Sequence, residues 1–158
     1  MPRRSAHRQP KRSENGGFGS GIERTNYKKR EEAGVTFEYE SDACKFYYVK
    51  PTHKGKCADC GSENVGSDHV YTADFYIKTK SGKEIWVEIK GGGYSWTGET
   101  RAKHVLLSKQ FPNREVRFVF CNEYALIGKG AKTTNKAWCK RHGFICTSKL
   151  IPKSWCEE

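Results

Sequence analysis

Tyr71-Thr72-Ala73-Asp74-Phe75 and Trp86-Val87-Glu88-Ile89-Lys90 flank a turn at Ser81-Gly82. The runs that contain them, 70–78 and 84–90, have the composition and spacing of a β-hairpin. Side chains at i and i+2 of a strand project from one face. Glu88 and Lys90 therefore face together, Val87 and Ile89 form the opposite, apolar face, and Asp74 lies across the hairpin from the charged pair. Two carboxylates and a lysine thus meet at one end of a sheet, beside Gly91-Gly92-Gly93. Hard cations such as Mg²⁺ or Mn²⁺ take carboxylate oxygens together with water and phosphate oxygens. The pattern fits metal-assisted phosphodiester hydrolysis, with the lysine orienting a water or stabilising developing charge and the Ile89 carbonyl as a further ligand. An exposed hairpin of alternating charge produces the same Glu-x-Lys spacing, so the motif alone leaves both readings open.

Outward from the hairpin, Ser20-Gly21-Ile22-Glu23 has the form of a capping box, and Gly34 can supply a left-handed stop, which predicts a helix over 21–33. Residues 35–40 alternate at period two and 45–49 are rich in aromatics, so both read as strands. A helix follows over 99–110, with Ala102, Val105 and Leu106 on one face and Pro112 past its end. A buried strand at 116–121 and a short helix at 135–142, stopped by Gly143, complete the pattern. This order predicts an α/β fold, one mixed β-sheet flanked by helices.

The 158 residues suit a single domain, and 13% aromatic content is enough for a packed core. No apolar run reaches 18 residues, which excludes a transmembrane helix. No apolar segment follows Met1-Pro2-Arg3-Arg4, so no secretory leader is expected. Seven cysteines, an odd number, point to a reducing, cytoplasmic setting. Lys and Arg number 29 against 18 acids, for a net charge of +11, and a field of that size attracts polyanions, nucleic acid above all. Residues 1–17 read as a flexible basic arm whose Arg3, Arg4, Arg8, Lys11 and Arg12 contact DNA phosphates. Lys28 and Lys29 on the first helix and Arg101 and Lys103 on the second are further candidate DNA contacts. His104 and His142 read as structural or surface residues.

The polar insertion at 52–69 carries Cys57-Ala58-Asp59-Cys60-Gly61. A Cys-x2-Cys followed by Gly is the turn of a zinc knuckle. One knuckle is half a site; His53 and His69 can close a structural Zn²⁺ site, with Cys44 in reserve, while a free dithiol loop is the plainer alternative.

Asp-(x)n-Glu-x-Lys on a hairpin resembles the PD-(D/E)xK nuclease superfamily, with Ala73 where proline is usual. The chain more specifically resembles the phage endonuclease I family of Holliday-junction resolvases. The resemblance rests on Phe18-Gly19-Ser20-Gly21-Ile22-Glu23, Phe37-Glu38-Tyr39-Glu40, residues 69–75, 87–91 and 101–120, and Leu150-Ile151-Pro152 with Trp155. It implies a nuclease domain over 18–158 with the catalytic set Glu23, Asp74, Glu88 and Lys90. Asp74 and Glu88 would hold Mg²⁺ (or Mn²⁺), Lys90 would assist the nucleophilic water, and Glu23 would complete the acidic cluster. The resemblance also implies paired nicks near the branch point of a four-way junction. It further implies an intertwined homodimer in which the helix with Glu23 and the hairpin carboxylates come from different subunits, acting in a host cytoplasm if phage-encoded. Two alternatives stand beside it: a restriction- or repair-type duplex nuclease, and a non-catalytic zinc-stabilised DNA-binding module.

Overall fold

The computed structural model describes residues 18–52, 56, 58, 61, 66–91 and 95–158. In chain order the elements are α1 (Gly21–Glu32), β1 (Phe37–Tyr39), a 3₁₀ turn (Asp42–Cys44), β2 (Lys45–Pro51), β3 (Gly66–Thr72), β4 (Phe75–Lys78) and β5 (Glu84–Lys90). They continue with α2 (Gly98–Gln110), β6 (Glu115–Phe120), α3 (Asn135–His142), β7 (Ile145–Ser148) and α4 (Lys153–Glu157). β1, β4, β5, β6 and β7 form a five-stranded sheet in that order, and β2 and β3 form a separate ribbon. β4 runs antiparallel to β1 and β5, whereas β5, β6 and β7 are parallel, so the sheet is mixed.

β5 occupies the centre because both its faces are apolar or internally paired: Ile85 through Ile89 are all buried. One face of the sheet packs Trp86 and Phe118 against Phe46 and Tyr71 of the ribbon, Leu107 of α2 and Trp138 of α3. The other packs Ile77, Ile85, Val87 and Val119 under Ile151 and Trp155, with Ile22 and Tyr27 of α1 against them. Phe46, Phe75 and Phe118 have no exposed surface, and burying such a side chain is worth about 1.5–3 kcal/mol. Arg117 of β6 is also buried. Its guanidinium is gripped bidentately by Glu158 at 2.7 Å, held by Glu115, and lies 5.0 Å from the Trp155 ring centroid, so it anchors α4.

The helix signals read from the sequence are present. Ser20 Oγ accepts the Glu23 amide at 3.2 Å, Gly34 takes φ +63° after α1, and Gly143 takes φ +76° after α3. Three features differ from the expectation. The run at 70–78 is not one strand: β3 pairs with β2, β4 pairs with β1, and the chain changes sheet at Ala73-Asp74. There the Ala73 amide donates to the Cys44 carbonyl at 2.9 Å and the Glu40 amide donates to the Asp74 carbonyl at 3.0 Å. α2 buries His104 and Leu107, with Ala102 exposed, because a ring cluster of Tyr71, Trp96 and Phe118 surrounds His104. β7 and α4 were not anticipated. β7 is four residues long and exists by parallel pairing with β6, and α4 is five residues held by the burial of Trp155 and Cys156.

Candidate active site

Glu88 and Lys90 leave the last turn of the β5 pleat on one face, as the period-two pattern requires. The Lys90 ammonium pairs with Glu88 Oε1, and the Tyr71 hydroxyl donates to Glu88 Oε2. Burial pushes the Glu88 carboxyl up, but the Lys90 charge together with the hydrogen bonds from Lys90 and Tyr71 outweighs it and holds the group below its ordinary range. Burial likewise pulls Lys90 down, and Glu88, with Asp74 and Glu23 behind it, more than offsets that, so Lys90 is firmly cationic. Glu88 and Lys90 side chains are only 5% and 12% exposed, which strengthens their interaction relative to a surface pair.

Asp74 sits at the break between β3 and β4 rather than inside a strand. The break frees its side chain to turn toward β5, where Oδ2 accepts the Ile89 amide at 2.6 Å. Burial, then Glu88, then Glu23 hold its carboxyl well above the ordinary range. Glu23, in the first turn of α1, accepts from the Gly19 amide at 3.0 Å, the Ser20 hydroxyl at 2.8 Å and the Tyr39 hydroxyl at 2.8 Å. Glu40, at φ +45° beside the break, joins them: Glu23, Glu40 and Asp74 each place a carboxylate oxygen within 4.8 Å of the others. Three carboxylates this close repel one another, and after burial and Glu88 the charge of Glu23 adds to the upward push on Asp74. A hard, oxygen-seeking cation relieves it, so the donor set fits Mg²⁺ or Mn²⁺.

The four residues expected to act together, Glu23, Asp74, Glu88 and Lys90, therefore converge, and they do so within one chain. Sequence reasoning missed Glu40, Tyr71 and His104. Glu40 looked like an ordinary residue of an alternating strand; it stays exposed, and its approach to Asp74 depends on the chain break. His104 is 1% exposed, both ring nitrogens lack partners among the described residues, and Nε2 lies 4.0 Å from Glu88 Oε1. Burial drives its pKa down to about 3, so it is a neutral imidazole wedged behind the carboxylate.

Among the expected DNA contacts, Lys28 and Lys29 are exposed on α1. Lys103 lies 4.5 Å over the Tyr71 ring, and burial lowers its pKa. Arg101 is tied down: its Nη1 donates to the carbonyls of Trp96 at 2.7 Å and Ile127 at 2.9 Å. Arg3, Arg4, Arg8, Lys11 and Arg12 lie outside the described residues, as do His53, Cys57 and Cys60 of the expected zinc site. His69 is exposed on β3, its Nε2 2.9 Å from Ser67 Oγ. The reserve ligand Cys44 is fully buried, and burial pushes its thiol up.

Fold and site together define a class: a mixed α/β protein with a carboxylate–lysine cluster at the end of its central strand, suited to a hard cation beside a phosphate. The family model for phage endonuclease I matches residues 5–158. Endonuclease I of Escherichia phage T7 is 34% identical over 143 residues, covering 90% of this chain and 80% of that protein. Endodeoxyribonuclease 1 of Enterobacteria phage T3 is 33% identical over 141 residues, covering 89% and 78%. The chain belongs to the phage endonuclease I family. Among the described residues, no helix is long and apolar enough to cross a membrane.

Proposed function

We propose that the chain is a metal-dependent endodeoxyribonuclease that resolves branched DNA, cutting two opposed strands of a four-way junction near the branch point. The observation that carries this is the convergence of Glu23, Asp74, Glu88 and Lys90 in a chain of the phage endonuclease I family. Asp74 and Glu88 are the carboxylates assigned to Mg²⁺ or Mn²⁺, and Glu23 and Glu40 each bring a carboxylate oxygen within 4.8 Å of Asp74. When bound, such a cation neutralises charge on the phosphate and lowers the pKa of a water.

The protein's own groups do the rest. Lys90, kept cationic by Glu88, donates to the water or to the phosphate oxygen that gains charge, leaving a 5′-phosphate and a 3′-hydroxyl. Tyr71 fixes the second oxygen of Glu88, and His104 fills the space behind it, so the carboxylate cannot rotate away from Lys90. Lys28, Lys29, Lys103 and the basic segment 1–17 supply phosphate contacts that position the junction without reading sequence. The nuclease domain spans 18–158 and follows the PD-(D/E)xK plan. It works as a homodimer in the cytoplasm, since two strands must be cut; exchange of α1 between two copies would leave the Glu23 contacts unchanged. A structural Zn²⁺ on Cys57, Cys60, His53 and His69 belongs to the same proposal and is decided by metal analysis of the purified protein.

The test is cleavage of a labelled four-way junction and a matched linear duplex, in Mg²⁺ and in EDTA, with Lys90→Ala beside the unaltered protein. Paired cuts near the branch point, lost in EDTA and in the variant, are expected. Equal cutting of the duplex would favour the restriction- or repair-type alternative. Junction binding with no cutting would leave only a DNA-binding module.

A further inference from the structure

A cavity of about 440 Å³ shares Lys90 with the acidic cluster and is lined by Trp96, Phe120, Leu126, Ile127 and Gly128 among others. That volume lies within the range of roughly 300–1,000 Å³ typical of small-ligand sites. Two of its wall residues, Trp96 and Asn135, are 5% and 6% exposed. The Trp96 indole N–H and Asn135 Oδ1 have no hydrogen-bond partner among the described residues. The Asn135 amide nitrogen is already committed to the Asn122 carbonyl at 3.1 Å, so its buried oxygen is the unpartnered atom. Arg101 bonds the Trp96 and Ile127 carbonyls together. It thereby fixes the spacing of those two residues, and the cavity is preformed.

Apolar and aromatic walls, one unmet donor, one unmet acceptor and a lysine shared with the reaction centre match a nucleobase. A base presents a flat π-face for stacking and an edge that carries both acceptors and donors. We propose that this cavity receives the sugar and base of the nucleotide adjoining the scissile phosphate, drawn out of the stack at the branch point. The inference rests on the junction-nuclease reading. It adds a source of selectivity, because unstacking a base is least costly where the stack is already interrupted. A continuous duplex would not fill the cavity as readily.

Two substitutions close the cavity from exposed positions. A side chain at Gly128 meets nothing within 4 Å at its Cβ, and Leu126 is 53% exposed. Gly128→Trp and Leu126→Trp are therefore compared with the unaltered protein on two four-way junctions. One junction is intact; the other carries an abasic residue at the nucleotide 5′ or 3′ of the scissile phosphate, one at a time. On the intact junction, kcat/KM of the variants should fall about 5- to 150-fold, the span of base–aromatic stacking. On the junction whose abasic position matches the cavity's occupant, variants and unaltered protein should agree within about twofold, with unchanged melting temperatures certifying the folds. An equal penalty on intact and abasic junctions, or no penalty on either, overturns the assignment while leaving junction cleavage in place. Failure of the unaltered protein to cut any junction would instead remove the functional reading beneath it.

Discussion

Glu23 has two roles that a pair of substitutions separates. Its carboxylate caps the start of α1 through the Gly19 amide and the Ser20 hydroxyl, and it accepts from the Tyr39 phenol. Burial, with Glu23 next, raises the Tyr39 pKa, so that phenol stays a donor. Glu23→Ala removes all three acceptor contacts. Losing a cap costs about 0.5–2 kcal/mol, and stranding a half-buried phenol adds about 1 kcal/mol. A total near 2 kcal/mol should lower the melting temperature by about 4–8 °C at this chain length. Glu23→Gln keeps an acceptor oxygen for Tyr39 and Gly19 and offers Ser20 an N–H, and it also relieves the repulsion of Asp74. Its stability should stay within about 1 kcal/mol of the unaltered protein. Neither variant keeps the charge beside Asp74 and Glu40, so both should lose about 10²-fold in junction cleavage at saturating Mg²⁺. Thermal unfolding by circular dichroism and single-turnover cleavage read the two quantities separately. If Glu23→Gln retains full cleavage, Glu23 is a helix cap and nothing more, and the acidic cluster loses a member.

Asp74 has a folded pKa raised above its unfolded value, first by burial and then by Glu88 and Glu23. The stability associated with its protonated form is complete below the unfolded carboxylate pKa and is lost as pH rises through the raised one. Asp74→Asn should therefore melt higher than the unaltered protein at pH 8 in EDTA and lose the stabilisation that Mg²⁺ confers; identical melting curves would refute this. Arg117→Met should cost about 2–3 kcal/mol, because a buried cation is removed from two carboxylates that can rehydrate. It should lower the melting temperature by about 4–12 °C, and a change below 2 °C in calorimetry would contradict the anchoring role. Lys28→Ala with Lys29→Ala should weaken junction binding and reduce the slope of log K against log[salt] by about 1–2. An unchanged slope in a fluorescence-anisotropy series would place both lysines off the DNA.

The placement of the charged side chains was largely legible in the sequence because it is local. Alternation in a strand sufficed to set Glu88 beside Lys90, and a capping box sufficed to place Glu23 at a helix start. The stops at Gly34 and Gly143 were equally local, since a left-handed backbone favours glycine. What escaped depends on partners distant in the chain. α2 was expected to carry Ala102, Val105 and Leu106 on one face; Val105 and Leu106 do pack on the core, but the most buried residue beside Leu107 is His104, because Tyr71, Trp96 and Phe118 assemble around its ring. β7 is too short to announce itself and forms because β6 offers a free edge.

By itself, then, the sequence determined the type of fold, the central hairpin strand and the placing of Glu88 and Lys90 on one of its faces, all consequences of short-range periodicity and backbone preference, while the resemblance to a family singled out Glu23. The tertiary structure alone decided that the strand expected over 70–78 would break at Ala73-Asp74. That break, made where the chain leaves the ribbon for the main sheet, turns Asp74 onto the Ile89 amide and brings Glu40 and Glu23 to it. A change of sheet satisfies backbone groups with residues some thirty positions away, at Glu40 and Cys44. No local pattern encodes such pairings, because they exist only once both sheets have formed.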